Sequence, residues 1–220
     1  MTGEPYQLDR RHRRRLETIE QIVDVAIEVM ADLGVGGLSL AEVARRMGMR
    51  APSLYTYFNS KHAVYDAVFA RGWRSIRTTM APVSAEVHDT DDLSAYLLTY
   101  GRRFVGWMLE HPVQAQLMCW RPVPGYEPSP SAYESAVEML ADARTVFASL
   151  RDRGLFRAGT NVDLLLRTWT VLVSGVMTQQ LANAPDASFD DGAFTATLPD
   201  LVSMFLTQYS TPPPKRGSHE

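Results

Sequence analysis

Between Arg50 and Lys61 the chain gathers side chains that can grip without reacting: the hydroxyls of Ser53, Tyr55, Thr56 and Tyr57, with a cation at each end. Guanidinium and ammonium groups pair with phosphate oxygens, and hydroxyls reach phosphates or base edges, so the set suits a duplex nucleic acid better than bond-making chemistry. Two short helices and a turn must hold it. Ser39 and Glu42 have the spacing of a capping box, and Leu40, Val43, Ala44 and Met47 recur at helical intervals. Gly48 can take the left-handed conformation that ends a helix. Pro52 suits the first turn of a second helix, where a missing N–H costs nothing. Leu54 and Phe58 then face inward, leaving Ser53, Tyr55, Thr56 and Tyr57 to point elsewhere. Small Ala44, turning Gly48 and apolar Leu54 supply the room, corner and contact of a helix-turn-helix, with helices over 40–47 and 51–57. The second of these is shaped to enter a major groove.

The net charge of −3 hides an asymmetry. Residues 1–81 hold 12 Arg or Lys against 9 Asp or Glu, a balance of +3, and residues 82–220 hold 10 against 16, a balance of −6. Arg10, Arg11, Arg13, Arg14 and Arg15 form a basic arm over 1–15, and Arg45, Arg46, Arg50 and Lys61 lie in or beside the hairpin. One end of the molecule is thus suited to phosphate. No run of about 18 uncharged apolar residues is present, and Met1 to Leu8 lacks an apolar signal core, so a cytoplasmic protein without a membrane span is expected. The single cysteine, Cys119, fits a reducing compartment and is expected as a buried thiol between Met118 and Trp120. His12, His62, His88, His111 and His219 are scattered, with no metal-ligand spacing, no Gly-rich phosphate loop and no local catalytic motif. No catalytic residue, metal or cofactor is assigned.

Hydrophobic periodicity predicts an all-α chain of about nine helices. Leu16, Ile19, Val23, Ala26, Met30 and Leu33 mark a first helix over 16–33, closed by Gly34, Gly36 and Gly37. A fourth helix follows Asn59-Ser60 and ends before Pro82. Further helices are expected from Asp91 to Leu109, over 113–120 and over 131–153, the last with Tyr133, Val137, Leu140, Phe147 and Leu150 on its apolar side. A proline-rich loop occupies 121–130. Thr160 with Asp163 opens a long helix to Ala184, and a last one spans 193–209. The domains read as a helix-turn-helix unit at 16–80, a larger unit at 82–209 and a disordered tail at 210–220.

The hairpin and the helices around it resemble the DNA-binding domain of the TetR family of transcriptional regulators. The resemblance covers residues 16–75, and its most specific part is Leu54-Tyr55-Thr56-Tyr57-Phe58-Asn59-Ser60-Lys61, similar to the family's Leu-Tyr-x-His/Tyr-Phe-x-x-Lys signature. Trp169 with Gly175, and His111-Pro112 ahead of the proline-rich loop, are similar to a C-terminal subfamily frequent in actinobacteria. The resemblance implies a homodimeric repressor of a palindromic operator, released by a small molecule. It assigns base reading to Arg50, Ala51, Pro52, Ser53, Thr56 and Tyr57, and phosphate contacts to Tyr55, Tyr57 and Lys61, with Ser39 and Leu40 near the DNA backbone. Ala51 is a departure, since a methyl can sense only another methyl.

For the small molecule, Tyr100, Phe104, Trp107, Met108, Met118, Trp120, Trp169 and Met177 are candidates for an apolar, aromatic site taking a hydrophobic or amphipathic ligand. Arg102, Arg103, Arg121 and Arg167 are either anchors for a ligand carboxylate or surface groups paired with Glu110, Glu134 or Asp163. A helix apolar around its whole circumference needs cover, so the homodimer is expected through Asp163–Ala184 and Ala193–Tyr209. The competing readings are a helical adaptor without DNA binding and an activator of the same fold.

Overall fold

The computed structural model describes residues 4–211, with side chains from residue 10. Among these residues there are nine helices: α1 Glu4–Leu33, α2 Leu40–Arg46, α3 Ala51–Leu54, α4 Lys61–Ala85, α5 Leu93–Glu110, α6 Pro112–Cys119, α7 Pro130–Asp152, α8 Val162–Asn183 and α9 Leu198–Tyr209. Strand pairing among them is confined to one isolated bridge, Phe156 with Ser210. Helices fall into two compact units: residues through Trp73 with Val113–Ala136, and Arg74–Pro112 with the residues from Val137 onward. Residues 113–136, read from the sequence as part of the second domain, therefore cluster with the first.

In the first unit, Ile22, Ala26, Val29 and Met30 of α1 pack with Val43 and Ala44 of α2, Leu54 of α3 and Val64 and Val68 of α4. Helix α1 begins at Glu4 instead of Leu16, so Arg10–Arg15 are helical and exposed. Arginine is a good helix former, and nothing in that run breaks the ladder. Leu16 and Leu33, at the two ends of the expected stripe, are exposed. The end of α2 is a Schellman motif: Gly48 has φ +65°, its N–H donates to Arg45 O at 3.1 Å, and Met49 N–H donates to Ala44 O at 2.9 Å. Helix α4 starts on Ser60, whose Oγ accepts from Ala63 N–H at 3.1 Å. It runs through Pro82 to Ala85, because burial of Val83 and Val87 holds the chain against the core beyond the proline.

The proline-rich loop is docked on α4: Tyr126 Oη donates to Asp66 Oδ1 at 2.9 Å, and Ser129 N–H donates to the same oxygen at 3.1 Å. Cys119 closes α6 as an exposed residue, not a buried one, because the helix turns Val113, Ala115 and Leu117 inward instead.

In the second unit, α5 packs against α8 and α9. Gly101 lets the Trp169 ring come so close that an added Cβ would lie 3.1 Å from it. Phe147, Phe156, Trp169 and Phe205 stack edge and face in one buried cluster, with centroids 5.6 to 6.4 Å apart. The apolar side of α7 differs from the expected one: Phe147 and Leu150 are buried, while Val137 and Leu140 are exposed. Asn161, not Thr160, caps α8, its Oδ1 accepting from Asp163 and Leu164 N–H. Thr160 donates instead to Arg157 O at 2.7 Å. Pro199 lies in the first turn of α9 and starts it. At the end of α8, fully buried Gln180 donates to Ala184 O at 3.0 Å and accepts from Phe194 N–H at 3.1 Å, tying down the turn into α9.

Candidate nucleic-acid interface

Arg50 caps α3 in extended backbone, with Pro52 in the first turn. The regular helix stops at Leu54, short of the expected Tyr57. Thr56 Oγ1 donates to Ser53 O at 2.7 Å, and Thr56 N–H takes the same carbonyl at 3.2 Å, so the chain tightens into i→i+3 bonds. Tyr57 N–H and Phe58 N–H both reach Leu54 O, at 2.9 and 3.1 Å.

This turn sorts the side chains. Leu54 and Phe58 are sealed in the core, whereas Arg50, Ala51, Pro52, Ser53, Tyr55 and Thr56 are exposed on one surface. Tyr57 is half-buried against the core, under the Arg15 guanidinium at 5.1 Å from the ring centroid. Arg15 also donates to Thr56 O at 2.9 Å, joining α1 to the end of α3. Sequence reasoning missed that contact, since no local spacing pairs residues 41 positions apart.

Ser39 and Leu40 are half-buried at the start of α2, and Ser39 Oγ accepts from Glu42 N–H at 3.4 Å. The reciprocal half of the capping box is replaced: Glu42 holds Arg45 at 2.7 Å and Arg46 at 2.8 Å, and Arg46 reaches back to Asp32 at 2.7 Å. These hydrogen bonds lower the Glu42 carboxyl to about 2. Arg45 and Arg46, grouped by sequence with the phosphate-facing charge, are thus engaged within the hairpin. Lys61 begins α4, half-buried, with Nζ donating to Gly36 O at 3.0 Å and lying 5.5 Å from the Tyr65 ring centroid. Tyr65 is fixed in turn by donation to Val35 O at 2.8 Å.

Residues 22–68, the span that builds this surface, match the family profile described as bacterial regulatory proteins, tetR family. The chain is 28% identical over 165 residues to the class C tetracycline repressor protein of Escherichia coli, covering 75% of this chain and 67% of that one. The helix-turn-helix region, residues 22–68, is that of the TetR family. A second relative, an HTH-type transcriptional regulator of Mycobacterium tuberculosis, is 29% identical over 123 residues, 54% of this chain and 51% of its own. The chain thus spans about half the length of that mycobacterial relative. These relatives are transcriptional regulators, not enzymes. The fold is also that of the transcriptional regulator FadR of Bacillus subtilis, solved with stearoyl-CoA, with a TM-score of 0.65 at 14% identity over 86% of this chain and 97% of that one. No helix among the described residues is long and apolar enough to cross a membrane.

The eight expected ligand residues divide between the two units. Met118 and Trp120 belong to the first unit, where Met118 packs on Gly72 and Trp120 is exposed. Trp107 stacks on His111 at 4.3 Å and donates to Ser75 Oγ at 3.3 Å. Trp169 belongs to the aromatic cluster, Met108 and Met177 are sealed core, and Phe104 is half-buried. Of the eight, only Tyr100 lines the cavity of about 300 Å³ beside α4 and α7. None of the four arginines borders it: Arg102 pairs with Asp190 and covers Phe189, Arg121 faces Glu127 at 3.5 Å, and Arg103 and Arg167 are exposed. Asp163 pairs with Arg144 at 2.7 Å. Aromatic content signals burial, and Trp169 is buried within the ring cluster.

Proposed function

We propose that the chain is a DNA-binding repressor that acts as a homodimer on a palindromic operator and is released by a small hydrophobic or amphipathic molecule. One observation carries the DNA reading: Leu54 and Phe58 are locked inside while Arg50, Ala51, Pro52, Ser53 and Thr56 share the surface opposite. In this reading Arg50 and Ser53 meet base edges, and Pro52 and Thr56 touch thymine methyls. Ala51 and Tyr57 complete the base-facing set. Tyr55, Tyr57 and Lys61, with Ser39 and Leu40 alongside, hold the phosphate backbone. The dimer forms on α8 and α9, where Leu164, Val171 and Met204 lie exposed, a bare apolar face that a second copy would cover. Phe205 belongs to the expected dimer span but cannot take part, being 2% exposed inside the aromatic cluster.

The test selects genomic fragments on the purified full chain and follows binding by fluorescence anisotropy at several salt concentrations. Lys61→Ala weakens all sequences alike and lowers the salt slope by about one. Ser53→Ala and Thr56→Ala relax base preference, each by about 1–3 kcal/mol of discrimination. Uniform losses from all three would contradict the assigned roles, and no binding to any duplex in dilute salt would favour the adaptor.

A further inference from the structure

The geometry points to the class of the releasing molecule: a small amphiphile with a cationic head, a protonated amine being the simplest, held in the cavity bordered by the end of α4, by α5 and by α7. This rests on the ligand-responsive reading above. At about 300 Å³ the cavity is at the lower end of small-molecule sites, ~300–1,000 Å³. Its floor is apolar, with buried Met80, Met139 and Val146, and thioether chains adapt to an irregular hydrocarbon body.

The rim sets the head group. Asp142 meets the Arg77 guanidinium at 2.5 and 3.4 Å, and the same guanidinium holds Glu138 at 2.6 Å. Arg77 and Asp142 line the cavity with His88, and Glu138 holds Arg77 from beside it. Each guanidinium nitrogen is thus engaged, and the three paired charges sum to one negative. Nearby Arg153 does not offset it, because its guanidinium is occupied by Val87 O, Thr90 O and Asp91. The hydroxyls add to the same preference. Thr145 gives its proton to Ala141 O at 3.0 Å, which leaves its oxygen free to accept, and Ser84 lines the same cavity. A ligand carboxylate would meet Asp142 and acceptor oxygens, whereas an ammonium donates to both.

The experiment uses octylamine, octanol and octanoate, one hydrocarbon body with three heads, titrated calorimetrically into the full-length protein at pH 7 without DNA. Octylamine should bind one per chain, about tenfold or more tighter than octanol, with octanoate weakest. Asp142→Asn should bring octylamine to within about threefold of octanol while leaving octanol unchanged. Ala81→Trp, placed on the exposed rim where it does not disturb the core, should remove binding of all three. Equal affinities, a preference for octanoate, or unchanged binding in Ala81→Trp would each overturn the inference. DNA binding is measured on the same samples. DNA binding without head-group selectivity overturns this inference alone, and selectivity without DNA binding overturns the regulator reading alone.

Discussion

Glu42 gives its backbone N–H to the Ser39 cap and its carboxylate to two guanidinium groups, so one residue ties the start of α2 to its end. Its pKa is lowered from 4.5 to about 2, by the hydrogen bonds from Arg45 and then Arg46. A carboxyl lowered by folding stabilises the native state above its unfolded value and loses that contribution as pH falls, here between 4.5 and 2. Glu42→Gln should therefore melt below the parent at pH 7, with the gap closing toward pH 2 in circular dichroism melts. Because the pair is exposed, the effect is small. At Gly48 an added Cβ would meet nothing within 4 Å, so Gly48→Ala tests backbone conformation alone. Urea unfolding should show a loss of about 1 kcal/mol from forcing an L-residue to positive φ. Gly48→Asn should lose less.

The elements that position the interface were readable wherever their signals are local. Ser39, Gly48, Pro52 and the Leu54–Phe58 pair announced α2, the turn and α3, because capping, left-handed turns and i, i+4 burial are set within a few residues. The length of α3 was not readable, since it depends on whether Thr56 bonds Ser53 O or a solvent molecule. Nor was the extent of α4 through Pro82, which depends on Val83 and Val87 finding a core. The docking of 121–129 is a long-range event as well: Tyr126 and Ser129 both converge on one oxygen of Asp66, and proline content alone does not point there. Tyr126→Phe removes one hydrogen bond to a charged acceptor, so chemical unfolding should report a loss of about 1.5–3 kcal/mol. Leu54→Ala should cost about 2–5 kcal/mol and take DNA binding with it, since α3 rests on that contact.

For the whole molecule, the exposed and buried members of α8 and α9 make opposite forecasts. Val171 is 70% exposed and Met204 65%, so Val171→Glu and Met204→Glu should yield folded monomers in sedimentation velocity runs. Phe205→Ala should instead lower stability by about 3–5 kcal/mol without selectively splitting a dimer. Unchanged dimers from both charge variants would move the interface off this face. A homodimer reading DNA through α3 should leave a two-fold footprint with half-sites centred about 34 Å apart or a multiple of it. The proposed effector cavity was the least readable part of the chain. Periodicity marks Trp169 and Met177 as buried, while the cavity lined by Met80, Tyr100 and Met139 has no local signal in the sequence.

The amide of Gln180 acts at once as donor and acceptor in a spot that water does not reach. Swapping it for its acid, Gln180→Glu, would keep the shape and make the knot a proton gauge. Protonated, the acid could still donate to Ala184 O and accept from Phe194 N–H; ionised, it would confront a carbonyl in a dry interior. Its folded pKa would stand above the unfolded one, so the variant would hold in acid and loosen toward alkali, the mirror image of Glu42. The sharp bend between the last two helices would then open on demand, with hydrogen exchange at Phe194 as its clock.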